Sequence, residues 1–136
     1  MMTKILLVDD SKFLRLTAER ALARAGYEVS SATDGEKALR MAREELPDLI
    51  LMDILLPKMS GRDVLVALKK DPLTNAIPVV VMTGLSQKNA ARLQEDGAIA
   101  FLEKSVLDLD KGPEKLLEAV QEILKRLPER TRTTTV

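Results

Sequence analysis

The sequence predicts an α/β fold: a doubly wound parallel sheet of five strands with five helices packed on its two faces. Three observations predict it. Short apolar runs rich in branched residues recur five times along the chain. Each is followed by a stretch with helical spacing, and right-handed crossovers between parallel strands lay such helices over both sides of a sheet. The runs are also nearly continuous in their apolar character, as strands covered on both faces are.

The first strand is expected at Ile5–Val8. The helix after it carries Leu14, Ala18 and Leu22 on one side, with Ser11 or Asp10 placed to cap it and Gly26 to end it. Tyr27–Ala32 reads as the second strand, and the second helix runs from about Glu36 to Leu46, where Pro47 stops it. The third strand covers Leu49–Ile54; after Gly61 a third helix presents Val64, Leu65 and Leu68 until Asp71-Pro72 breaks it. Val79–Met82 and Ile99–Leu102 are the last two strands, separated by a helix from about Gln87 to Glu95 that ends at Gly97. The fifth helix begins near Pro113, a good first-turn residue, and is expected to bury Leu117, Val120, Ile123, Leu124 and Leu127. Beyond Leu127 periodicity is lost and Arg and Thr dominate, so residues 1–127 read as one domain and 128–136 as a flexible tail.

Composition narrows the function. The 136 residues include 21 basic and 21 acidic side chains, a balance that favours neither nucleic acid nor an anionic membrane surface. Partners are expected to be proteins or small molecules. The chain has no cysteine and no histidine, so thiol chemistry is excluded and any metal must be bound through oxygen. Met1-Met2-Thr3-Lys4 passes directly into the first strand, too short and wrongly flanked for a signal peptide, and no apolar run approaches the ~20 residues that span a bilayer. A cytoplasmic location is expected. There is no fixed-period repeat, no G-x-G-x-x-G and no phosphate-binding lysine loop.

Four of the five strands end in polar residues at the same, carboxyl edge. Asp9 and Asp10 follow the first strand, Asp53 lies near the end of the third, Thr83 ends the fourth and Lys104 the fifth. In an open parallel sheet ligands bind at this carboxyl edge. Each residue alone has a plain alternative: Asp10 or Ser11 as a helix cap, Asp53 as a turn residue, Thr83 as another cap, Lys104 as a solvated lysine. Four strands ending in polar residues on one edge make a less ordinary set. Three acids, a hydroxyl and an ammonium are an inventory for holding a phosphoryl group and a hard cation such as Mg²⁺, which would also relieve the repulsion among the acids.

Four segments in order, ILLVDDS (Ile5–Ser11), LILMDILLPKMSG (Leu49–Gly61), VVVMTG (Val79–Gly84) and AFLEK (Ala100–Lys104), resemble the receiver domain of response regulators in two-component signalling, over nearly the whole chain. The resemblance implies the flavodoxin-like strand order 2-1-3-4-5 of the chemotaxis regulators. It also implies that Asp53 takes a phosphoryl group from the phosphohistidine of a sensor histidine kinase or phosphotransfer protein. Asp53 and Asp10 would bind Mg²⁺ directly, Asp9 through metal-bound water, and the Leu55 backbone carbonyl as a further ligand. Lys104 would pair with phosphoryl oxygens, Thr83 would donate its hydroxyl to them, and Phe101 stands at the aromatic switch position. Such a domain catalyses only its own phosphorylation and dephosphorylation. It signals to a downstream protein through the face built by the fourth helix, fifth strand and fifth helix, as a monomer or a phosphorylation-dependent dimer.

The chain departs from that pattern in places. Phe101 has no hydroxyl where many relatives carry tyrosine, and Ser105 follows Lys104 where proline is common. The segment from Ser105 to Gly112 is longer than usual and contains Val106, Leu107 and Leu109, while Leu55 and Leu85 are apolar where a polar side chain would hold a hydrolytic water. A haloacid-dehalogenase-type phosphatase would place a second acid at the position of Leu55, which disfavours that reading. No output domain is expected to follow the fifth helix.

Overall fold

The computed structural model describes residues 2–84, 94–104 and 111–127. Five parallel strands, β1 (Lys4–Val8), β2 (Glu28–Ala32), β3 (Leu49–Asp53), β4 (Val79–Thr83) and β5 (Ala100–Glu103), form one sheet in the order β2-β1-β3-β4-β5. Four described helices accompany them: α1 (Lys12–Arg24), α2 (Gly35–Glu45), α3 (Gly61–Lys70) and α4 (Glu114–Arg126). Of the helix expected at Gln87–Glu95, only Gln94 and Glu95 are described, and both are helical. Leu85, the segment from Ser105 to Asp110 with Val106, Leu107 and Leu109, and the tail from Pro128 lie outside the described residues.

Strand alternation sorts the core into two layers. Leu6, Val8, Ile50, Met52, Val79 and Val81 face α2 and α3, meeting Ala38, Ala42, Val64, Leu65 and Leu68. Their neighbours Ile5, Leu7, Leu49, Leu51, Val80 and Met82 face α1 and α4, meeting Ala18, Leu22, Leu116, Val120 and Leu124. Burial on both faces holds for β1, β3 and β4 but not for the outer strands: β2 is buried only at Ala32, and β5 is half-buried throughout. An outer strand has a neighbour on one side only, and Ser30 and Ser31 reflect that.

Ser11, not Asp10, caps α1 by accepting the Leu14 N–H, which leaves Asp10 exposed for other work. Asp34 caps α2, a signal the periodicity did not bring out, and α2 closes through Leu46 in the left-handed region just before Pro47. Ser60 caps α3. Pro113 sits at the cap of α4 rather than in its first turn.

The buried stripe of α4 also differs from expectation. Leu116, Val120 and Leu124, spaced by four, are fully enclosed, whereas Leu117, Ile123 and Leu127 pack at its margin. The apolar face is wide enough that sequence spacing alone centred it one residue too far on. We predict that Leu116→Ala lowers the unfolding free energy by about 3 kcal/mol and Leu117→Ala by roughly 1 kcal/mol, measured by urea denaturation. The reverse ranking would contradict this helix orientation.

Candidate functional site

Register and alternation decide what meets at the carboxyl edge. β1 pairs with β3 so that Leu7 lies opposite Leu51 and Val8 opposite Met52; continued by one residue, Asp9 comes beside Asp53. Asp9 and Asp53 therefore follow the parity of Leu7 and Leu51, and Lys104 follows that of Ala100 and Leu102, all on the α1/α4 face. Thr83 and Phe101 follow Val81 onto the opposite face, where Phe101 pairs with Val81 and Thr83 is two residues further along β4. The edge thus carries acids and ammonium on one side and hydroxyl and ring on the other.

Contacts bear this out for the charged group. The Lys104 ammonium donates to Asp53 Oδ2 at 2.7 Å and lies 3.4 Å from Asp9 Oδ2. The remaining oxygen of each acid accepts a backbone N–H two residues ahead: Asp53 Oδ1 from Leu55 at 3.1 Å, Asp9 Oδ1 from Ser11 at 2.9 Å. Asp9, Asp53 and Thr83 are buried, while Asp10 and the Leu55 side chain are exposed. Carboxylate oxygens of Asp9, Asp10 and Asp53 all lie within 4.8 Å of one another. The loop after Asp53 is held by Gly61, where a β-carbon would come 2.8 Å from the Asp53 carbonyl oxygen and 2.6 Å from Ile54 Cα. Only glycine allows α3 to start that close to the end of β3. β3 ends at Asp53 rather than Ile54, although the Ile54 N–H still donates to Met82.

Burial pushes the Asp9 carboxyl up from its ordinary range, against the Ser11 N–H and the Lys104 charge, which pull it down. Burial alone would lower the Lys104 pKa, but the hydrogen bond to Asp53 and the charges of Asp9 and Asp53 outweigh it and hold the ammonium above its usual value. Three carboxylates against one ammonium leave an excess of two negative charges when all are ionised. With only oxygen donors, two of the acids buried and one open to solvent, the set fits a hard divalent cation.

Of the residues singled out in the sequence, Asp9, Asp10, Asp53 and Lys104 are brought together, with the Leu55 amide at the same carboxylate. Thr83 ends β4 beside them, and Phe101 lies a step deeper in β5, half-buried against the α2/α3 core. Two contributors escaped the sequence reading: the Ser11 N–H, and Arg15, whose Nη1 donates to the Asp9 carbonyl at 3.2 Å. Arg15 stands one turn after Ser11 on α1, a spacing that would have pointed it back to the strand end.

Known proteins resemble this arrangement widely. The response regulator receiver domain profile matches residues 5–121. The response regulator PleD of Caulobacter vibrioides is 44% identical over 111 residues, which cover 80% of this chain and 24% of that protein. The transcriptional regulatory protein PrrA of Mycobacterium tuberculosis is 36% identical over 132 residues, 97% of this chain and 53% of PrrA. The chain therefore spans about half or less of these relatives' length. Among solved structures, the chemotaxis response regulator CheY4 of Vibrio cholerae superposes with a TM-score of 0.81 at 31% identity, over 90% of this chain and 99% of CheY4.

The raised pKa of Asp9 has a definite consequence for stability. A carboxyl whose folded pKa exceeds its unfolded value stabilises the fold at pH below the usual aspartate range, and that contribution is lost as pH rises through the folded pKa. Ionised Asp9 therefore costs stability at neutral pH. Asp9→Asn, whose amide oxygen can still accept the Ser11 N–H, should melt above wild type at pH 7 in EDTA, and the difference should shrink as pH falls toward about 4. A variant melting at or below wild type across that range would refute the strained carboxylate.

Proposed function

The chain belongs to the response regulator receiver domain family, and we propose that it accepts a phosphoryl group on Asp53 in a Mg²⁺-dependent reaction and passes the change of state to a protein partner. The observation that carries this reading is the Lys104 ammonium held between the Asp53 and Asp9 carboxylates at the sheet edge.

In the proposed reaction an Asp53 carboxylate oxygen attacks the phosphorus of a phosphohistidine from a sensor kinase or phosphotransfer protein, or of a small acyl phosphate. The new phosphorus–oxygen bond forms as the bond to the leaving group breaks, and that group departs with the electron pair. Leu55 N–H and Lys104 fix the two Asp53 oxygens from different directions, so the carboxylate needs little reorganisation before attack. Lys104 then follows the negative charge onto the phosphoryl oxygens. Asp9, Asp10, Asp53 and the Leu55 carbonyl would hold Mg²⁺, which supplies positive charge against the oxygens of the transferring group. Thr83 would give its hydroxyl to the phosphoryl group. Because Thr83 and Phe101 share the α2/α3 face of neighbouring strands, a shift of the first changes the packing of the second. That couples the site to the β5 edge, the surface proposed for the downstream protein, with the domain acting as a monomer or a phosphorylation-dependent dimer. The domain serves as a cytoplasmic phosphoacceptor, not as an enzyme turning over a separate substrate.

Incubation with acetyl phosphate and Mg²⁺ should add one phosphoryl group to wild type and none to Asp53→Ala, read by intact mass. Equal labelling of the two proteins would sink the assignment. Lys104→Ala should slow labelling about 10²-fold, the effect of losing one group that stabilises developing charge.

A further inference from the structure

Arg62 is the second residue of α3, at a helix end that repels cations, and Asp96 directly follows the helical residues Gln94 and Glu95. Across the gap they form a two-pronged ion pair: Arg62 Nε donates to Asp96 Oδ2 at 2.6 Å, and Nη2 to Oδ1 at 3.4 Å. An isolated surface pair would contribute little. This one is partly shielded, the Asp96 side chain being 16% exposed, and it does not act alone. Lys69, seven residues beyond Arg62 and so on the same face of α3, reaches the same turn. Its stem lies against Gly97, where a β-carbon would come 2.7 Å from Lys69 Cγ, and its ammonium donates to the Ile77 and Asn75 carbonyls at 2.8 and 3.2 Å.

The turn held in this way leads directly to Lys104. Gly97, at φ +115, closes the preceding helical residues, the Ile99 N–H donates to Val79, and β5 then runs in register with β4 to Glu103. On the other side Arg62 adjoins Gly61, which is pressed against the backbone of Asp53 and Ile54. Asp53, Gly61, Arg62, Asp96, β5 and Lys104 thus form a closed circuit, completed by the 2.7 Å contact of Lys104 with Asp53.

We propose that Arg62 and Asp96 are positioning residues: their pair sets the β5 turn against the phosphoacceptor loop and so holds Lys104 on Asp53. The proposal rests on the phosphoacceptor reading for its effect on rate, but not for its effect on Lys104 itself. Arg62→Gln, and separately Asp96→Asn, should move the Lys104 side-chain Cε–Hε resonance toward that of a free lysine while leaving Lys4, in its pair with Glu28, unchanged. Labelling by acetyl phosphate at saturating Mg²⁺ should slow at least about threefold, since small misplacements of a reacting group carry large penalties. Mg²⁺ affinity should not fall below wild type, because the acids stand at the ends of β1 and β3 and a displaced ammonium leaves them with less positive charge, not fewer ligands. The exchanged pair, Arg62→Asp with Asp96→Arg, should restore both resonance and rate. An unmoved Lys104 resonance in the single variants would overturn the proposal, as would Mg²⁺ affinity falling in step with the rate, the mark of general loosening. Should wild type take no phosphoryl group, the functional reading falls, and the Lys104 resonance still decides the clasp.

Discussion

One ammonium makes this sheet edge tenable. Asp9 and Asp53 are both buried and face each other across β1 and β3, an arrangement that repels itself and resists desolvation. Lys104 reaches both from the end of β5, two strands away in the sheet from β3, and the N–H groups of Ser11 and Leu55 take the oxygens it leaves. The compensation is incomplete, and the raised Asp9 pKa records the shortfall. An unrelieved acid cluster is costly as architecture, so its presence at the ligand-binding edge of an α/β sheet argues for a cation that completes it.

Alternation along the strands gives the site its division of labour. Acids and ammonium share one face, and Thr83 and Phe101 share the other with the α2/α3 core. Charge at the edge acts directly on Lys104, while Thr83 and Phe101 lie on the other side of the sheet. The Arg62–Asp96 pair adds a link from the loop after Asp53 to the turn before β5. A glycine pressed against the backbone of Asp53 and Ile54 ties the start of α3 closely to the end of β3.

Much of this was legible in the sequence because it rests on local pattern. The five apolar runs gave the strands, and the acids, threonine and lysine at their carboxyl ends gave the edge, since parallel order places all strand ends together. What escaped depends on partners distant in sequence. Serines in β2 are tolerable because it is an outer strand, which the run itself does not reveal. Leu116 rather than Leu117 leads the buried stripe because packing against the sheet, not spacing along α4, decides between two adjacent leucines. Arg62 and Asp96 are 34 residues apart and look like ordinary surface charges until the fold joins them. The order in which Asp10 and Ser11 share cap and site was open for the opposite reason, both being locally suitable, and the Leu14 N–H chose Ser11.

The central claim is that the edge is an acid cluster short of positive charge. It is tested most directly by titrating Mg²⁺ against unfolding free energy at constant ionic strength. Wild type should gain stability with each increment and, well above the dissociation constant, approach about 1.4 kcal/mol per tenfold rise in Mg²⁺. The double variant Asp9→Asn/Asp10→Asn should gain almost nothing. Stability independent of Mg²⁺ in wild type, or an equal gain in the double variant, would contradict the account.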